Sequence, residues 1–116
     1  MMAVARTLLE TGDTARDLFL YDTFEGMPQP GEKDVTYSGT SASTLMHQSR
    51  KDDPSSIWCY APLEAVKNIV YAIGYPREKI HFVHGKVEET IPHIVPERIA
   101  LLRLDTDWYE STRHEL

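Results

Sequence analysis

At 116 residues and a formal net charge of −6, the chain has the size of one domain with a modest core, and its acidic balance argues against a nucleic-acid partner, which needs a basic face. No apolar run approaches the ~20 residues that cross a bilayer, so no membrane partner is expected. The one cysteine, Cys59, excludes an intrachain disulfide framework and points to a reducing, cytoplasmic setting. Set between Trp58 and Tyr60, it reads as a small buried residue rather than a reactive thiol. The opening MMAVARTLLE has no basic leader and no small-residue cleavage site, so it does not read as a signal peptide.

In chain order, Met2, Val4, Ala5, Leu8 and Leu9 recur at helical spacing, and Gly12 suits the left-handed position that closes a helix. Residues 17–22, DLFLYD, form a short apolar run ending in an acid, which predicts a buried strand. Residues 23–56 are rich in Gly, Pro, Ser and Asp and read as a long loop, either a lid or a disordered segment, with one short helix within 41–50. Pro62 predicts a helix start, with Leu63, Val66, Ile69, Val70 and Ile73 on one face and Gly74 at its end. IHFVH at 80–84 predicts a second strand, 87–94 an acidic turn or helix, and 99–104 a third strand. A last helix begins near Glu110. Alternation of helix and strand predicts an α/β fold with a mostly parallel sheet and crossover helices.

Such a sheet gathers its strand ends along one edge, where open α/β sheets bind ligands. That edge would carry Asp22 after the first strand, Gly85 followed by Val87 and Glu88 after the second, and Asp105 and Asp107 after the third. An acid at one strand end suits the ribose hydroxyls of a nucleotide. A glycine after the next strand lets backbone approach a purine ring. A carboxylate at the third suits a hard divalent cation. Each acid is alternatively a cap or turn former; their order along one chain favours the joint reading.

The runs LYDTFEGMP at 20–28, IHFVHGKVEETIP at 80–92 and PERIALLRLDTDWYESTRHEL at 96–116 resemble the macrocin O-methyltransferase family, the TylF/MycF type. The resemblance spans essentially the whole chain and is weakest over 29–56. It implies a Rossmann-like methyltransferase fold, present here as a single partial domain over 1–116. The implied activity is methyl transfer from S-adenosylmethionine to a sugar or other secondary-metabolite hydroxyl, with Mg²⁺ or another divalent cation. By resemblance, Asp22 binds the cofactor ribose, and Gly85, Val87 and Glu88 lie by the adenine. Asp105 is the metal ligand and the one catalytic residue. Asp22 can instead be a turn acid, and Glu88 a solvated acid in a first helical turn. Asp107 is either an acid that supports the metal site from behind or the N-cap of the last helix, and the cap is favoured. Trp108 and Tyr109 either wall a substrate cavity or fill a core. No histidine pair has metal-ligand spacing; His81 and His84 read as structural, and no general base is assigned.

The family pattern also carries a glycine-rich turn before the segment matching MMAVART and a later strand with paired acids. The resemblance therefore predicts that this chain keeps about the middle of the domain and has at most feeble activity alone. A competing reading is a non-catalytic fragment or binding module, a homo-oligomer or one that completes its sheet with another chain. A nucleotide-binding oxidoreductase fits Asp22 but lacks the glycine fingerprint.

Overall fold

A computed structural model describes all residues, 1–116. The elements in order are α1 (Met2–Glu10), β1 (Leu18–Asp22), α2 (Ala42–Gln48), α3 (Leu63–Tyr71), β2 (Ile80–His84), α4 (Val87–Thr90) and α5 (Tyr109–Glu115), with one 3-10 turn over Arg77–Lys79 before β2. β1 and β2 pair in parallel, Leu18 opposite Ile80 through Asp22 opposite His84. The chain is thus α/β with a two-stranded sheet, and α2 and α3 lie in the connection between its strands, as a parallel pair requires.

The core forms where two helices meet this sheet. Ala5 of α1, Leu18 of β1, Val70 of α3, Ile80 of β2 and Tyr75 make one buried cluster, flanked by Val4, Leu8, Val66 and Leu20. The Tyr75 hydroxyl donates to Arg16 O at 2.7 Å, which satisfies the one polar atom this aromatic brings inside. Gly12 takes φ +74°, and the Gly12 and Asp13 amides donate back to Leu9 O and Leu8 O, closing α1 as its position in the sequence predicts.

Two expectations change. The third strand, 99–104, does not form: Ile99, Leu101, Leu102 and Leu104 are exposed, Leu101 at 69%. β1 and β2 pair only with each other, and an extended segment without a neighbour has nothing to take its backbone hydrogen bonds but water. The mostly parallel sheet is therefore two strands wide. Cys59 is exposed, not buried, at the tight corner where its φ is +46°. The long 23–56 segment carries its short helix, α2, within 41–50 as the sequence predicts, and an isolated bridge between Val35 and Ser41; Trp58, just beyond it, donates its Nε1 to Met46 O and Ser49 O, each at 3.3 Å.

Candidate functional site at the strand ends

The carboxyl ends of β1 and β2 meet at Asp22 and Gly85. The Gly85 amide donates to Asp22 O at 3.0 Å, one step beyond the last paired residues of the sheet. Beyond Asp22 the chain turns sharply. Asp22 Oδ1 accepts from the Phe24 amide at 2.9 Å, an Asx turn that holds buried Phe24 at φ +52°. Thr23 Oγ1 donates to Gly26 O at 2.7 Å and tightens the next step. Gly26 sits at φ +88°, where an added Cβ would lie 2.8 Å from Trp58 O. The Met27 amide donates to that same carbonyl at 2.8 Å, so the two loops press together at the one position that has no side chain.

These turns border an open, mostly polar cleft of about 400 Å³. Thr23, Glu25, Gly26 and Met27 form one wall, and His84, Gly85, Lys86 and Glu89 form the other. Lys51 and Trp58 contribute from the long loop, with Lys51 Nζ lying 5.6 Å from the Trp58 ring centre and 5.0 Å from that of Tyr60. His84 Nε2 lies 3.8 Å from Glu25 Oε1 across the cleft. A second, larger cleft of about 590 Å³ lies between the long loop and α5, with Leu45, Ile57, Trp108, Tyr109 and Arg113 among its lining.

Of the residues singled out in the sequence, Gly85 lines the smaller cleft and Asp22 adjoins it through Thr23. The Asx bond occupies Oδ1 of Asp22, and Oδ2 makes no hydrogen bond within the chain. Val87 is buried at the start of α4. Glu88 turns to α5, where its Oε1 accepts from Ser111 Oγ at 2.7 Å. Asp105 is exposed, and its carboxylate is paired with the Arg103 guanidinium. No group of three or more His, Cys, Asp or Glu side chains is placed to hold a metal ion. A divalent cation needs several oxygen ligands, so Asp105 with a guanidinium against it does not fit that role in this arrangement.

Asp107 does not cap α5, which starts at Tyr109 after Trp108. The Tyr109 amide instead donates at 2.7 Å to Oδ1 of Asp34, a carboxylate supplied by the long loop and only 8% exposed. Sequence reasoning missed Asp34, Lys51, Trp58 and the cleft-lining position of His84. His81, two residues before Val83 and on the same strand, is structural as expected: its Nε2 meets Asp17 Oδ1 at 2.8 Å and its ring stacks on Phe19 at 4.6 Å. That hydrogen bond, ahead of the Lys79 contact, holds the Asp17 carboxyl below the usual carboxylate range. Tyr21 of β1 donates its hydroxyl to Ile94 O at 2.7 Å, and burial raises its pKa.

The chain is thus an α/β protein with an open cleft at the carboxyl ends of two parallel strands. The sequence profile described as Macrocin-O-methyltransferase (TylF) matches residues 1–116, and the chain belongs to that family. It is 31% identical over 105 residues to the 8-demethyl-8-(2,3-dimethoxy-alpha-L-rhamnosyl)-tetracenomycin-C 4'-O-methyltransferase of Streptomyces olivaceus. The match covers 90% of this chain and 37% of that relative, so the chain spans little more than a third of the curated protein it matches.

Proposed function

We propose that this chain carries the cofactor-binding strand ends of an S-adenosylmethionine-dependent O-methyltransferase acting on a hydroxyl of a glycosylated secondary metabolite, within a Rossmann-like fold. The family match over residues 1–116 is the observation that carries the reading. The relative's printed activity, methylation at a sugar 4'-hydroxyl, supports the acceptor class. The smaller cleft supports the cofactor assignment. Asp22 immediately precedes the wall residue Thr23 and is the acid this reading assigns to the ribose hydroxyls. Gly85 lines its wall at φ +140°, the glycine position this reading sets beside the adenine.

When bound, S-adenosylmethionine supplies an electrophilic methyl on a positive sulfonium. The chain's own part is positioning and exclusion of water. Thr23 and Gly26 shape one wall, and Trp58 with Lys51 lines the cleft from the loop beside it. Glu25 and His84, facing each other across the opening, are the groups placed to take a hydroxyl proton. Asp105 does not fit a metal as it is placed here, and no step is assigned to a cation.

Calorimetric titration of S-adenosylhomocysteine into the 116-residue chain tests the proposal. Binding in the micromolar range, about −8 kcal/mol, that disappears in Asp22→Ala is the expected outcome. A folded chain that gives no binding heat refutes cofactor capture by this segment.

One observation favours a second reading, a non-catalytic module completed by another chain. The sheet has two strands and an apolar run, 99–104, lies exposed beside no partner.

A further inference from the structure

We propose that Asp34 is a positioning residue for the strand-end cleft, acting as the clasp of a closed circuit of contacts around it. Its carboxylate is buried and doubly engaged: Oδ2 accepts from the Gly31 amide at 2.7 Å and Oδ1 from the Tyr109 amide at 2.7 Å. A buried carboxylate is costly unless its oxygens are satisfied, and here both donors are backbone groups from segments far apart in sequence. One is in the loop that continues directly from the cleft wall at 23–29. The other opens α5.

The circuit closes on the far side. Ser111 of α5 is buried and donates to Glu88 of α4 at 2.7 Å, and α4 follows Gly85 and Lys86, the opposite wall. Trp108 Nε1 donates to Pro28 O at 2.8 Å and adds a second tie on the Asp34 side. One wall is thus held to α5 through Asp34, and α5 is held to the other wall through Glu88. The walls are joined at their base by the Gly85 amide on Asp22 O; farther out α5 spans them, and Asp34 is the buried one of its ties to the long loop, beside Trp108 on Pro28 O and the exposed Lys33–Glu110 pair. Glu88 thereby belongs to the circuit. The clasp stands on geometry alone; its consequence for cofactor affinity rests on the function proposed above.

Hydrogen–deuterium exchange on the full 116-residue chain reads the clasp without any ligand. In Asp34→Ala, the Tyr109 amide and the amides of 24–29 are expected to exchange faster, while those of β2 keep their wild-type rates. Faster exchange confined to Gly31 and Tyr109 would overturn the proposal, and so would uniform acceleration that includes β2, which reports general loosening. Asp34→Asn keeps one acceptor oxygen and is expected to restore part of the protection. If the alanine variant does not fold, Ser111→Ala opens the circuit at its other joint and must speed exchange over 24–29; unchanged rates there equally sink the idea. S-adenosylhomocysteine titration then adds the functional arm, with affinity about tenfold weaker in Asp34→Ala and intermediate in Asp34→Asn. Wild-type chain that shows the exchange pattern but no binding faults the cofactor assignment, not the clasp.

Discussion

Gly26 shows how much one missing side chain decides. Its left-handed φ is open to glycine and costs other residues about 1–2 kcal/mol, and an added Cβ would lie 2.8 Å from a backbone carbonyl, Trp58 O, that already receives the Met27 amide. Gly26→Ala is therefore expected to lower stability by more than about 1 kcal/mol, read as a lower urea midpoint with unchanged slope. An unchanged midpoint would mean that the two loops do not press together there. The same pair of loops explains why site residues differ in how readable they are. Asp22 and Gly85 stand out in the sequence because each directly follows an apolar run. Lys51 and Trp58 reach the cleft from a segment with no periodic pattern, and Asp34 meets its target amide 75 positions away. No local signal marks a cap supplied from that distance, and Asp107, close in sequence to the helix start, is the acid that spacing alone selects.

At the scale of elements, DLFLYD and IHFVH fold as the strands their composition predicts, and IALLRL, built on the same local pattern, does not. Strand formation depends on the neighbour as much as on the segment; β1 and β2 have one another and residues 99–104 have none. The β1–β2 pair is also tied at its amino end, where Asp17 accepts from His81 Nε2 at 2.8 Å and pairs with Lys79 Nζ at 3.3 Å. The folded state holds the Asp17 pKa below its model-peptide value of 3.8. Its stabilisation is therefore present above about pH 4 and is lost as pH falls through the depressed folded value. Asp17→Asn is expected to flatten the acid limb of a stability–pH curve below about pH 4. Some slope should survive, because Asp52 and Asp53 are likewise held low, by Arg50 and by Ser55. An acid limb identical to wild type would show that the tie contributes nothing.

The whole molecule is extended, 47 × 29 × 23 Å, with a radius of gyration of 15.9 Å against about 13.4 Å for a compact domain of this length. Only 12 of 116 residues are buried, while Ile94, Val95, Ile99, Leu101 and Leu102 are between 46% and 69% exposed. Exposed apolar side chains grouped in one stretch favour association. Light scattering is expected to give a mass above the 13.3 kDa monomer that rises with concentration, and Leu101→Lys combined with Leu102→Lys is expected to bring it back to the monomer. A wild-type chain that stays monomeric throughout would set the association aside. The stretch was legible as apolar from sequence; that it would lie outside the sheet was not, because exposure is decided by what the rest of the molecule provides.

The parallel register has a consequence in time. Leu18 must find Ile80, 62 positions along, and Trp108 reaches Pro28 across 80. Contacts of such separation carry the full loop-closure cost before they return any stabilisation. α1 and α3 can begin to form from local bonds alone, whereas the sheet, and the cleft at its end, must wait for distant segments to meet. The part of the chain proposed to recognise ligand is thus the part that folding reaches last, and a ligand that binds there would hold together the pairings that the chain is slowest to make for itself.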